Sequence, residues 1–507
     1  MIDMDNLPAL PAGWVWTYIN TIGENENYAI VDGPFGSHLK TSDYTDAGNI
    51  PVVSITNIDE GFSYDKLRFI TKEKFEQIKR SAIKPGDILI AKIGSSYGKC
   101  GYYPNWMPVG VIPANLLKIT VGKSFNKSFV FYYFKSWIFK EKLNKITKST
   151  AQPAFNVTTF KELPIPIPPL QEQHRIVTKI EELFTKLDAG VDALKKVKSQ
   201  LKRYRQSVLK HAFCGKLTEE WRKSHKDELE PASVLLERIR EEKEKNGKSK
   251  KDTCDVNTEG LQELPEGWGW VRVKEISELM QYGTSDKSGD DIDGIPVIRM
   301  GNIREGKLVF ENLKYFPEEY SQLSTFLLQD GDVLFNRTNS AELVGKTAVY
   351  KDYHPKSIFA SYLIRVRVVK NLYNSDLLSF FINSFYGRKY IASVVSQQVG
   401  QANVNGTKLS LMPIPLPSIQ EQHLIVEEIE LRFSIAEEVE KTVDHSLKQA
   451  EKLRQSILKS AFSGRLVPQE PSDEPAEELL KKIKEEKEKT MPGENSKKRK
   501  PVKKSSL

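Results

Sequence analysis

Long apolar runs are missing from this chain. The segment VFYYFKSWIF (130–139) is among the longest, and it is short and carries Lys135. A bilayer crossing needs roughly 18–20 apolar residues, so no membrane partner is expected. The opening MIDMDNLPAL is acidic and has no signal-peptide apolar region; three cysteines far apart fit a reducing cytoplasm, so a cytoplasmic location is expected. Cysteine is scarce. Cys100, Cys214 and Cys254 stand far apart with no CxxC pair, which excludes a disulfide framework or a cysteine zinc site. A strong excess of one charge is also missing, since 75 basic residues face 67 acidic ones for a net charge of +8. That balance permits nucleic-acid binding without establishing it. Part of the excess lies in the tail KKRKPVKKSSL, which reads as a disordered basic end.

What the chain does have is length and an internal repeat. Its 507 residues suffice for two or more domains. PIPIPPLQEQHRIVTKIEELF (164–184) returns as PIPLPSIQEQHLIVEEIELRF (413–433). Gln171 and Gln420 are 249 residues apart, as are Arg205 and Arg454 within RQSVLKHAFCGKL and RQSILKSAFSGRL. LPAGWVW (10–16) returns as LPEGWGW (264–270), IPVVSITNI as IPVIRMGNI, and PGDILI as DGDVLF. Gly98-Lys99 returns as Gly345-Lys346, and Gln152 and Asn156 as Gln401 and Asn405. EPASVLLERIREEKEK (230–245) is echoed by EPAEELLKKIKEEKEK (474–489). The chain is a tandem duplication. The part after each proline phrase is nearly the same in both halves. The preceding roughly 150 residues share only landmarks.

After the prolines, apolar residues recur every three or four positions: Ile176, Ile180, Leu183, Leu187, Val191, Leu194, Val197, Leu201, Tyr204 and Val208. The second copy gives Ile425, Ile429, Ala436, Val439, Val443, Ala450, Leu453 and Ile457. This predicts two long helices of roughly 60 Å, with Gly215 and Gly464 as stops. Pairing the two copies antiparallel buries both stripes and yields a pseudo-twofold arrangement. The other solution packs each helix on its own domain. The regions before the helices are rich in short β-type runs (PVVSITNI, GDILIAKIG, PVIRM, GDVLFNR, SYLIRVRVV), followed by helical segments near 126–146 and 374–396. They read as α+β and mostly antiparallel. Two differing readers on a helical spacer suit duplex DNA, whose half-sites on one face recur about every 34 Å.

Together the doubled proline-QEQH phrase, the RQS…L…AF.G.L helix ends, the LP.GW openings and the GD(I/V)L strands resemble one family, the specificity (S) subunit of type I restriction–modification systems. The resemblance covers nearly the whole chain. It implies two target recognition domains, each reading one part of an interrupted sequence in double-stranded DNA. The implied boundaries are 1–169 for the first domain, 170–216 for the first spacer arm and 217–261 for a short helix and linker. They continue as 262–418 for the second domain, 419–465 for the second arm, 466–490 for a short charged helix and 491–507 for the disordered tail. The implied partners are two adenine-methylating modification subunits and ATP-dependent restriction subunits. S-adenosylmethionine, ATP and Mg would belong to those partners, with no cofactor, metal or catalytic centre in this chain.

Catalytic motifs are not met. No D/N-P-P-Y/F tetrapeptide occurs. SAELVGKT (340–347) has Ser340 where a phosphate loop needs glycine, and IGSSYGKC is one residue short, so hairpin turns explain both Gly-Lys pairs. A non-reading coiled-coil adaptor and an enzyme with a cryptic site remain the alternatives. Candidate DNA contacts are Ser37, His38, Lys40, Thr41, Lys92, Ser95, Ser96, Tyr97 and Lys99 in the first half. In the second they are Tyr282, Thr284, Ser285, Lys287, Arg299, Arg337, Asn339 and Lys346. These residue types suit phosphates and base edges. Gln171, Glu172, Gln173, His174, Gln420, Glu421, Gln422 and His423 are expected to satisfy a helix start or bind a partner subunit. One His with one Glu per copy is a poor metal set.

Overall fold

In a computed structural model, the β-type runs of each half pair into small, mostly antiparallel sheets beside helices. It describes residues 7–490 apart from 37, 47, 49, 59–60, 66, 148–152, 246, 248–255, 291–293 and 399–400. Ser37, Gln152, Cys254 and the tail 491–507 therefore lie outside the described residues. Among the described residues no helix is long and apolar enough to cross a membrane.

Two compact units form, and neither is a continuous stretch of the repeat. One comprises Met1–Leu194 with His445–Leu507, the other Lys195–Asp444. In the first unit the central sheet runs Ile30–Asp32, Leu116–Ile119, Ile88–Ala91, Cys100–Tyr102. A second sheet runs Arg68–Ile70, Ile50–Val52, Gly110–Val111, Ala82–Ile83. The second unit repeats the plan with Ser277–Tyr282, Leu363–Val368, Val333–Asn336, Thr347–Val349, and with Lys314–Phe316, Ile295–Ile298, Ile358–Phe359. Each second sheet holds one parallel pairing.

Shared landmarks explain themselves as structural devices. Asn57 and Asn302, from SITN and RMGN, each close a hairpin. The Asn57 amide donates to the carbonyls of Ser63 and Asp65, and that of Asn302 to those of Val309 and Glu311. Asn156 and Asn405 cap equivalent short helices, accepting from Thr159 N and Lys408 N at 2.8 and 2.9 Å. The Gly-Lys pairs are hairpin turns as expected, with Gly98 and Gly345 at φ of +80° and +82°.

The long helices are Leu170–Phe213 and Ile419–Phe462, 44 residues each. Each ends in a Schellman motif. Gly215 N donates to Ala212 O and Lys216 N to His211 O; Gly464 N and Arg465 N repeat this with Ala461 O and Ser460 O. Pairing is antiparallel within each unit. In the second, Lys198 lies 2.7 Å from Asp444 and Arg205 2.9 Å from Glu440. In the first, Asp188 pairs with Arg454. Both packing solutions hold at once. Each unit's core takes the start of one long helix and the end of the other: Ile176 and Ile180 with Leu458 and Phe462, and Ile425 and Ile429 with Leu209 and Phe213. The apolar stripe is less complete than its spacing suggests. Tyr204, Val439 and Leu453 stay exposed, because a two-helix seam covers only a narrow arc of each helix.

The opening and closing phrases of each half meet. Val15–Tyr18 pairs antiparallel with Pro164–Ile167, and Gly269–Arg272 with Pro413–Leu416. A two-stranded pair tolerates the prolines because each strand has a free edge. Lys142 is buried under the first joint. Its Nζ is 3.2 Å from Pro164 O and 3.9 Å from the Trp16 ring centroid, with Tyr133 at 5.9 Å. Burial, then Lys145, pulls its ammonium down to about 7, opposed by Glu141. The unfolded chain holds that proton up to about pH 10.4, so between the two values stability rises with pH. Lys142→Met is therefore expected to stabilise by about 1–3 kcal/mol in mild acid. The gain should shrink toward zero by about pH 10. Denaturation across that range checks it; a pH-independent loss would contradict it.

Candidate nucleic-acid interface

The QEQH phrase is mostly interior. Glu172, Gln173, Glu421 and Gln422 are buried, whereas Gln171, His174, Gln420 and His423 are exposed. Gln173 Oε1 accepts from Asn126 N (2.9 Å) and its Nε2 donates to Pro168 O (3.0 Å). Gln422 does the same with Asn374 N (2.8 Å) and Pro417 O (3.0 Å). These buried four hold the joint together, so the surface they could offer a partner is closed. His174 and His423 lie near the side-chain amides of Asn126 and Asn374, at 2.9 and 3.5 Å.

The two glutamates differ. Glu421 accepts from Trp268 Nε1 (2.6 Å), Thr218 Oγ1 (2.6 Å) and Arg222 Nε (2.9 Å). Glu172 accepts from Trp14 Nε1 (3.0 Å), and its Oε1 has no partner. Arg175, on the following turn, pairs with Asp473 at 2.6 Å. Burial raises the Glu172 pKa against the pull of Trp14 and Arg175. Above its ordinary value the folded state then holds the extra proton, and stability falls as pH rises. At neutral pH, Glu421→Gln is expected to lose about 2–3 kcal/mol, since it leaves Arg222 unpaired. Glu172→Gln is expected to lose nothing or to stabilise. Denaturation of both variants checks this, and equal losses would refute it.

The candidate contact residues divide by unit. In the first, His38, Lys40, Thr41, Ser95 and Lys99 are exposed, with Ser96 half-buried. Lys40 and Thr41 open a short turn of helix in which Lys40 N donates to Asp43 Oδ2 (2.7 Å). Tyr97 donates its hydroxyl to Asn144. Lys92 is 2.6 Å from Asp32, which Arg80 also approaches at 3.4 Å. Its charge is satisfied internally.

In the second unit, Tyr282, Thr284 and Arg337 come together. Arg337 Cζ lies 4.9 Å over the Tyr282 ring, its Nη1 reaches Ser361 O (3.4 Å), and its Nε has no partner. Tyr282 Oη accepts from Gly406 N (2.6 Å). Thr284 is buried, while Ser285 and Lys287 are exposed beside it. Arg299 is held apart, donating to Asn312 O (2.7 Å) in its own hairpin. Asn339 accepts from Ser340 N (2.8 Å) and, like Lys346, is half-buried. Asp32, Asp286 and Tyr320 stand beside the candidate contacts and were not among those expected from sequence. The acids repel phosphate on a simple reading, and Tyr320 is 36 residues from Thr284, whose hydroxyl it meets.

A doubled joint carrying two sheet-based heads, alike in frame and unlike in loops, defines a two-headed recognition protein. The chain matches the family described as type I restriction modification DNA specificity domain over residues 35–203 and 265–447, and it belongs to that family. The type I restriction enzyme EcoKI specificity subunit of Escherichia coli (strain K12) is 27% identical over 493 residues, 94% of this chain and 96% of its own. The StySPI specificity subunit of Salmonella potsdam is 25% identical over 496 residues, 95% and 97% of the two chains. A chain from a solved type I R-M system has a TM-score of 0.57 at 18% identity, over 90% of this chain and 100% of its own. That last likeness is one of fold.

Proposed function

We propose that this chain is the sequence-reading subunit of a type I restriction–modification complex, with each unit reading one part of an asymmetric, interrupted target in double-stranded DNA. One observation carries the reading. The frame, joints and helix ends repeat, while equivalent positions beside the central sheet hold Asp32 with Lys92 in one unit and Tyr282 with Arg337 in the other. A duplicated frame with unlike side chains suits a ligand with two unlike parts.

In this reading the chain supplies recognition and not catalysis. The recognition domains are 1–169 and 262–418, and 170–216 and 419–465 are the arms. Methylation, with S-adenosylmethionine, belongs to two modification subunits; ATP and Mg belong to restriction subunits. A partner bound twice is supported by Trp137 and Phe385, which start equivalent helices and are 55% and 56% exposed. The exposed Gln171, His174, Gln420 and His423 are available to the same partner. The test is co-expression with the modification subunit, followed by long-read mapping of methylated adenines. A gapped motif with unlike halves is expected. Unchanged methylation after residues 1–160 are exchanged for another member's would sink the reading.

A further inference from the structure

The two units fill the same pair of positions with different chemistry. Sheet register makes Asp32 equivalent to Tyr282: Val31 pairs with Lys118 as Gln281 pairs with Arg365. It makes Lys92 equivalent to Arg337, because Leu89 pairs with Lys118 as Leu334 pairs with Arg365. In the first unit, acid and base neutralise each other across these positions. In the second, acid and base are kept apart, and each is held by a tyrosine. Arg337 lies on the Tyr282 ring. Asp286 Oδ2 accepts from Tyr320 Oη at 2.8 Å.

The hold on Asp286 is firm. The Tyr320 hydroxyl is also 2.8 Å from Thr284 Oγ1, which accepts from Asp286 N at 3.1 Å. The Tyr320 ring stacks on Phe316 with centroids 4.3 Å apart. Thr284 connects this acid to the arginine: its carbonyl accepts from Ser361 N (2.8 Å), and Ser361 O accepts from Arg337 Nη1 (3.4 Å). Asp286 is exposed, and among the described residues it makes no ion pair.

A fixed, unpaired carboxylate repels every phosphate of a DNA duplex. Beside DNA it is unfavourable unless it meets a hydrogen-bond donor. In the major groove those donors are the exocyclic amino groups of cytosine and adenine. We infer that Asp286 is a specificity-determining residue of the second unit, accepting from the amino group of one base, with Tyr320 as its positioning residue. The inference rests on the DNA-reading function proposed above. Arg337, held over the Tyr282 ring on the same loop cluster, supplies the opposite polarity for another base edge.

The test uses the complex co-expressed with its modification subunit, by methylation mapping and by binding to duplexes varied one base pair at a time. Asp286→Ala is expected to lose about 10–100-fold discrimination at one position of the second half-site, with the first half-site unchanged. Tyr320→Phe keeps the ring stack and removes the hydroxyl. It should give a smaller loss at the same position, with hydrogen-exchange protection of the second unit unchanged. If Asp286→Ala leaves the motif intact, or weakens all sequences equally, while Arg337→Ala still alters the second half, the inference is overturned and the DNA-reading function stands. If no change in either loop or in residues 1–160 alters the motif, the DNA-reading function itself fails.

Discussion

Asp332→Ala is expected to cost about 3–5 kcal/mol of stability and to unfold the central sheet of the second unit. Asp332 is fully buried in the DGDVLF landmark. It accepts from Arg367 Nε and Nη2 at 2.7 Å each, from Arg365 Nη1 at 3.4 Å, and from Gln329 N at 2.9 Å. Removing it leaves two arginines in the sheet without their ion-pair partner, and arginine cannot shed its proton. The equivalent Asp87 accepts from Lys84 N (2.8 Å) and Thr120 Oγ1 (2.7 Å), with Lys118 Nζ at 3.7 Å. Burial already lowers the Lys118 pKa, and a stranded lysine can neutralise. Asp87→Ala should therefore cost less than Asp332→Ala. Hydrogen exchange resolved by unit is the suitable measurement, because one midpoint does not describe a two-unit chain. Equal losses for the two variants would contradict the assignment.

Arg337→Ala is expected to relax recognition at one base of the second half-site by about 10–100-fold, while the first half-site is read as before. The guanidinium is pre-positioned over Tyr282, and no acidic side chain among the described residues pairs with it. Lys92, at the same place in the first unit, spends its charge on Asp32. Lys92→Ala should accordingly leave base preference intact. Binding at several salt concentrations separates the cases. A uniform fall across sequences, with the salt slope reduced by about one, would make Arg337 a phosphate contact instead.

The frame was readable because repetition exposes it. The proline phrases, the LP.GW openings and the glycine stops recur in fixed order, and each proved to be part of a joint or a cap. Hairpin turns at both Gly-Lys pairs were readable for the same reason. The candidate site was readable only as loop chemistry. Arg337 and Lys92 look alike in sequence, and nothing local states that one meets Tyr282 and the other Asp32. Both partners sit about 55–60 residues away, at the ends of strands that pair only through a third. Burial was equally hidden: Glu172 and His174 are two residues apart, yet the first is interior and the second exposed.

By itself the sequence determined the duplication, the α+β heads, the two long helices and the family, because periodicity and repeated landmarks are properties of the chain in order. Tertiary structure decided what the order cannot hold. It assigned each unit the start of one helix and the end of the other, and gave the first unit the helix Ala476–Thr490 from the far end of the chain. It also decided which charges meet a counter-charge and which do not. Those outcomes depend on residues brought together across strands and helices, where partner distance and burial fix whether a charge is neutralised or free.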